Sequence, residues 1–263
     1  MCYRGVASTV TRSKKVTAST IGQAAILCGG LGTRLGALTA AMPKPLLPVG
    51  ERPFLEILLD ELGRMDVKRI VLLAGFAADR IADYAATTPV KSRFDLSIEV
   101  AIEPSPAGTG GALWQARECL EEQFFLLNGD TWFDIPLVSL GQRLLQEPSA
   151  IGVTGLRQVA DAARYGTVIV GGDRITEFSE RPAQPGPGLI SGGVYAFRRS
   201  LLDHLRERCS LERDVLPTLA ANGDLRGLVF DGYFIDIGVP DDLERARREL
   251  GGKGPSPHSD GAG

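Results

Sequence analysis

Short apolar runs alternate with amphipathic stretches through the first half of the chain. Residues 24–28 (AAILC) are short, apolar and stopped by glycines, which reads as a buried strand. Residues 54–65 (FLEILLDELGRM) carry apolar positions three and four apart and predict an amphipathic helix. RIVLLAG (69–75) follows as a strand, then a short helix around 79–84, then the alternating strand LSIEVAIE (96–103). Residues 110–121 read as a helix, and FFLLNGD (124–130) as a strand meeting a turn. Strand, helix, strand, helix implies parallel strands with crossover helices. In the second half, IGVTGLR, YGTVIV, RITEF and LISGGVYAF are strands with short turns between them, which predicts added antiparallel pieces. A helix over 241–250 follows them. The pattern predicts one α/β layered domain, 21–250, whose mixed, mainly parallel sheet has flanking helices and an inserted antiparallel β region. No repeat at 20–50 residues is visible, so a β-helix extension is not expected.

The two ends read differently. Residues 1–20 hold four basic side chains, many Ser and Thr, and no acid; without an apolar core segment they do not form a secretory signal and are expected to be a flexible extension. Residues 251–263 (GGKGPSPHSDGAG) have too little apolar surface to order themselves and are expected to form a disordered tail.

Composition narrows the function. The chain has 263 residues, 44% hydrophobic and 23% charged, and a formal net charge of −3, so no basic excess points to nucleic acid. No apolar run approaches the roughly 18 residues of a membrane span. Cys2, Cys28, Cys119 and Cys209 are scattered, which argues against a disulfide framework or structural zinc and for a reducing cytoplasm. Only two histidines exist, and His258 lies in the tail, so a mechanism built on histidine would depend on His204 alone.

The first strand exits into Gly29-Gly30-Leu31-Gly32-Thr33-Arg34. Glycines placed there let the backbone approach a ligand and aim N–H groups at an anion. A P-loop is excluded, because the only Gly-Lys pair lies in the tail and is followed by Gly254. A dinucleotide loop fits poorly, because Leu35 stands where its third glycine belongs. A third reading adds Arg34, whose planar fork grips phosphate oxygens; a glycine turn without ligand is the alternative. Further on, Pro43 and Pro45 stiffen the backbone on either side of Lys44 and aim its ammonium.

With GGxGTRL and PKPLLPV at this spacing, the segment AAILCGGLGTRLGALTAAMPKPLLPVGERPFLEILLDEL resembles the opening of the sugar-nucleotide pyrophosphorylases, which are sugar-1-phosphate nucleotidyltransferases. The similarity continues through GTGGAL, LLNGDT, SERP, LISGGVYAF and YFIDIGVPDDL, over roughly residues 21–250. Within that family the text is most similar to the D-glycero-D-manno-heptose 1-phosphate guanylyltransferases, then to the mannose 1-phosphate guanylyltransferases. The resemblance implies a Rossmann-like sheet of the nucleotide-diphospho-sugar transferase type, Mg²⁺, and a nucleoside triphosphate and a sugar 1-phosphate as partners. No nucleic acid or membrane partner is expected, and the chain would be a monomer or homodimer.

Such a reaction needs positioning and charge neutralisation rather than an enzymatic nucleophile, because the attacking phosphate is already an anion. That suits a chain nearly empty of histidine. The resemblance makes Arg34 and Lys44 the catalytic cations and Asp130 and Asp236 the metal ligands. A turn aspartate and a helix cap are the plainer readings of the two acids. Gly29, Gly30, Gly32, Thr33, Gly108, Thr109 and Gly110 are expected to line the nucleotide. Glu103 stands where thymidylyl-type relatives commonly carry glutamine. A carboxylate only accepts, and guanine offers two adjacent donors, so Glu103 is expected to favour GTP. Glu180 matches the family's sugar-contacting glutamate, and Arg181 follows it where lysine is usual. Ser191 stands where many relatives have asparagine, and Gly193 lies beside it; all four are expected at the sugar phosphate. Alternatives are mannose or glucose 1-phosphate with GTP, CTP, UTP or dTTP, and a non-catalytic nucleotide-sugar-binding relative that regulates a partner.

Overall fold

The structure is a computed structural model that describes residues 21–30, 32–179 and 186–252. The expected extension 1–20 and all but the first two residues of the expected tail lie outside them.

Strand β1 (Gln23–Leu27) leaves into the glycine loop, followed by a small hairpin of β2 (Pro48–Val49) and β3 (Arg52–Pro53) and by helix α1 (Phe54–Arg64). Next come β4 (Arg69–Ala74), α2 (Ala78–Thr87), α3 (Pro89–Phe94), β5 (Ser97–Ile102), α4 (Gly108–Gln115), β6 (Gln123–Asn128), β7 (Thr131–Phe133) and α5 (Leu137–Gln146). The second half holds β8 (Gly152–Val159), β9 (Thr167–Gly171), β10 (Arg174–Ser179), β11 (Gly188–Arg198), α6 (Leu216–Asn222), β12 (Leu225–Val229), β13 (Phe234–Asp236) and α7 (Pro240–Leu250).

Nine strands form one mixed sheet in the order β5-β4-β1-β6-β11-β8-β12-β10-β9. β5, β4, β1 and β6 run parallel, as the alternation predicts. β11 pairs antiparallel with both β6 and β8, so the antiparallel pieces continue the same sheet. β1 lies at the centre of the parallel half with Ala24, Ala25 and Ile26 fully buried, because helices cover both faces there. α1 buries Leu55, Leu58, Leu59 and Leu62 on one face, each worth about 1.5–3 kcal/mol of transfer free energy.

Several boundaries differ from the periodicity. The helix expected over 110–121 starts at Gly108 and ends at Gln115, and a separate turn spans Arg117–Cys119. The strand read from Tyr165 begins at Thr167. Helices α3, α5 and α6 are additional; α5 buries Leu137, Leu140 and Leu144 at helical spacing, a stripe carried by a segment (LVSLGQRLLQ) short enough to be read past. Among the described residues, no helix is long and apolar enough to cross a membrane.

Candidate active site

Parallel strands end their backbone pairing at one edge of the sheet, and ligands of α/β folds bind there. Here β1 ends at Leu27, β6 at Asn128 and β5 at Ile102. Gly129 follows β6 and donates its N–H to Leu27 O (3.0 Å); a Cβ at Gly129 would lie 2.4 Å from that same oxygen. Only glycine lets the chain cross so close to β1, and the crossing sets Asp130 beside the first strand's exit. Asp236 reaches the same place through β13, which pairs with β7 so that Asp236 is opposite Thr131; the Ile237 N–H closes the pair on Asp130 O at 2.9 Å.

Two cavities meet here. The first, about 390 Å³, is lined by Gly29, Gly30, Lys44, Glu103, Gly108, Thr109 and Asp130, among others. The second, about 260 Å³, is lined by Arg34, Asp130, Arg164, Tyr165, Ser191, Gly193 and Asp236, among others. Asn128, Asp130 and Glu212 belong to both walls.

Lys44 Nζ donates to Asp130 Oδ2 at 2.6 Å, and the lysine side chain is only 11% exposed. A charge pair so sheltered is screened little by water and holds both groups in place. Asp236 accepts from the Gly238 N–H (2.7 Å), and its carboxyl is pushed up to about 6, first by burial and then by the negative charge of Asp130. The site therefore holds more negative charge than Lys44 alone offsets, a condition that favours a bound cation.

Glu103 folds over glycine backbone. Its Oε1 lies where a side chain on Gly75 or Gly29 would begin, and its Oε2 accepts from the Ala107 N–H at 3.2 Å. Burial raises its carboxyl while that N–H lowers it. The acceptor-only edge expected for a purine thus sits against the flat wall that the glycines provide. Cys28, next after β1, is buried at 1% exposure and its thiol is raised chiefly by burial.

The second cavity depends on a break in β11. Its register against β8 shifts between Ser191 and Tyr195, and Gly193 there has φ 71°. A Cβ on Gly193 would lie 2.6 Å from Asn128 Nδ2. The irregularity turns Ser191, Gly193 and Tyr195 toward the cavity. Ser191 Oγ donates to Tyr195 OH (2.9 Å) and shares a 3.2 Å hydrogen bond with Thr154 Oγ1, so its hydroxyl is fixed. Tyr195 is fully buried, and its phenol is raised by burial first and by the charge of Glu212 second. Arg164 pairs with Asp242 at 2.8 Å and lies over Tyr165.

Lys44 and Arg34 thus stand on different cavities, with Asp130 common to both and Asp236 on the second. Gly32, Thr33 and Gly110 line neither cavity. Gly32 turns the loop at φ 61°, with its carbonyl accepting from Thr39 Oγ1 (2.9 Å), and Thr33 is exposed. Gly110 is buried and donates to Cys209 O (3.0 Å), so its amide serves the fold. Glu180 and Arg181 lie outside the described residues. Asn128, Arg164, Tyr165 and Glu212 were not singled out from the sequence. Asn128 and Tyr165 stood within quoted strands, whereas Glu212 had no local signal at all.

Comparison with known proteins shows the family. The family model described as "Nucleotidyl transferase" matches residues 23–252. The chain is 37% identical to a D-glycero-α-D-manno-heptose 1-phosphate guanylyltransferase of Campylobacter jejuni, over 84% of this chain and 96% of that one. It is 31% identical to a mannose-1-phosphate guanylyltransferase catalytic subunit β of Danio rerio, over 84% of this chain and 62% of that one. The crystal structure of HddC from Yersinia pseudotuberculosis complexed with GMP-PN superposes with a TM-score of 0.76 at 30% identity, covering 88% of this chain and all of that one.

Proposed function

Because the chain belongs to the nucleotidyl transferase family, we propose that it joins GTP and D-glycero-D-manno-heptose 1-phosphate into GDP-heptose and pyrophosphate. The observation that carries the reading is the pair of cavities meeting at Asp130, one walled by glycine backbone and Glu103, the other by cations and hydroxyls. The likeness to heptose and mannose 1-phosphate guanylyltransferases and to a GMP-PN complex supports guanine and a sugar phosphate as the two occupants.

In this reading an oxygen of the sugar phosphate attacks the α-phosphorus of GTP. A new P–O bond forms there, the bond to the β-phosphate bridge breaks, and pyrophosphate leaves with that electron pair. The nucleophile is ionised already, so no side chain has to remove a proton. Lys44 neutralises the triphosphate in the first cavity, and Arg34 meets the incoming phosphate in the second. Gly29, Gly30 and Gly108 bring backbone against the nucleotide, Thr109 fixes the edge of its cavity, and Glu103 accepts from guanine N1–H and N2–H₂. Ser191 and Gly193 border the sugar. Glu180 and Arg181 remain proposed sugar-phosphate contacts from the resemblance alone.

Asp130 and Asp236 are the proposed ligands of a divalent metal, Mg²⁺. Two carboxylates in a site with excess negative charge suit a cation that takes its other ligands from phosphate oxygens and water. Among the described residues no cluster of three or more His, Cys, Asp or Glu could hold a metal by itself, so substrate oxygens would complete the shell. When bound, such an ion neutralises charge on the phosphates.

Pyrophosphate release, measured for GTP, CTP, UTP and dTTP against heptose, mannose and glucose 1-phosphates, tests the proposal. The highest kcat/KM is expected for GTP with the heptose. Preference for mannose 1-phosphate, which the mannose-using relative supports as the second reading, would move the sugar and keep the chemistry. No release with any pair would point to a non-catalytic relative.

A further inference from the structure

Residues 209–212 end at the wall of the first cavity with Glu212, and Cys209, Leu211 and Glu212 are each tied to its loop. The Cys209 N–H donates to Ala107 O (3.0 Å), and Cys209 O accepts from the N–H groups of Gly110 (3.0 Å) and Gly111 (3.1 Å). The Leu211 N–H donates to Thr109 Oγ1 (2.8 Å), and that hydroxyl donates to Glu212 Oε2 (2.6 Å). Ser210 Oγ donates to the same Glu212 oxygen at 3.1 Å. The carboxylate of Glu212 is therefore held by two hydroxyls on one oxygen, at the wall that the two cavities share.

Its other oxygen, Oε1, receives no hydrogen bond among the described residues. A carboxylate accepts at about four sites, so this one retains acceptor capacity where both substrates would meet. A phosphate cannot take it, since like charges repel at that range. The proposed metal is assigned to Asp130 and Asp236, and Glu212 does not join them in a three-acid cluster. What both substrates carry beside their phosphates is hydroxyl groups, on the ribose and on the sugar, and a hydroxyl donates to a carboxylate at modest desolvation cost.

We infer that Glu212 is a further substrate-binding residue, whose carboxylate accepts a hydrogen bond from a ribose or sugar hydroxyl at the junction of the two cavities. This rests on the guanylyltransferase reading. The Thr109–Glu212 bond gives the residue a second consequence: the loop that borders the nucleotide and the acceptor for the hydroxyl are set by one another, so that closing on one substrate orders the contact to the junction.

The test is a cycle between the side chain and the hydroxyl. Wild-type chain and Glu212→Ala are compared with GTP, 2′-deoxy-GTP and 3′-deoxy-GTP, and with the preferred sugar 1-phosphate and its singly deoxygenated analogues. Glu212→Ala is expected to raise KM for one substrate about 10-fold, the worth of a hydrogen bond to a charged group, with the other KM unchanged. One deoxy analogue should cost the wild type about the same factor and cost Glu212→Ala nothing further. A ribose analogue that does so assigns the nucleotide as the donor, and a sugar analogue assigns the sugar. If every analogue costs the variant as much as the wild type, Glu212 is only a tie within the fold and the inference is overturned. Thermal melting checks that Glu212→Ala folds; where it does not, Glu212→Gln runs the same cycle, keeping the shape and losing the charge. A wild-type chain that releases no pyrophosphate from any pair sinks the reaction reading, whereas normal turnover with additive penalties sinks only the role of Glu212.

Discussion

The two cavities that meet at Asp130 are built by opposite means. The first is lined mainly by glycines and apolar side chains, Gly29, Gly30, Gly108, Leu27, Leu73 and Pro106 among them, with Lys44, Glu103, Thr109 and Glu212 among its polar groups. The second is walled by polar side chains, with Arg34, Arg164, Tyr165, Ser191 and Asp236 converging from four separate stretches of chain. A wall of glycines and apolar side chains suits a flat ring and leaves any choice among rings to a few polar groups such as Glu103. A wall of polar side chains can be altered one residue at a time, and Ser191, which stands where many relatives have asparagine, lines it.

Substitutions at the shared wall should break this division most severely. Asp130→Asn touches both cavities and is expected to lower kcat about 10³-fold, the scale of several kcal/mol of charge stabilisation. Pyrophosphate release titrated with Mg²⁺ should show lost metal dependence; a variant with the wild-type Mg²⁺ curve would remove Asp130 from the metal site. Lys44→Ala is confined to the first cavity and should cost about 10²-fold in kcat. Its circular dichroism should stay native, and near-normal turnover would contradict the role given to Lys44.

Smaller changes sharpen the comparison. Glu103→Gln should raise KM for GTP about 10-fold and narrow its lead over UTP and dTTP, leaving KM for the sugar 1-phosphate unchanged. An unaltered base preference would move purine selection elsewhere. Ser191→Asn should leave the nucleotide KM alone and shift the sugar KM by about threefold, in a direction that favours a different sugar in the panel. Equal shifts in both KM values would mean that the walls are not independent.

The parallel half was legible because its signals are local. The apolar run of β1, the helical stripe of α1 and the glycine loop each report their structure within a dozen residues, and the resemblance rests on the same segments. Where several signals share one window, boundaries slipped: Gly108 starts α4 because its positive φ of 79° suits the turn into the helix, although the apolar pattern begins later. Asp130 and Asp236 were legible as aspartates at strand ends. Glu212 was not, because its neighbours in the fold are Thr109 and the cavity junction, about a hundred residues away in sequence, and nothing in LERDV marks it as different from a solvated helix turn.

Local patterning and short motifs by themselves determined the parallel strands β1, β4, β5 and β6 with α1, α2 and α4 between them, and the glycine approach to the first strand. Such features depend on steric and hydrophobic preferences that act between near neighbours. Tertiary structure alone decided that the antiparallel strands extend the same sheet, that Lys44 and Arg34 stand on separate cavities with Asp130 between them, and that Glu212 lies at their junction. Those outcomes depend on strand register and on a bend at Gly193, and register is settled only when distant segments compete to bury their apolar faces together.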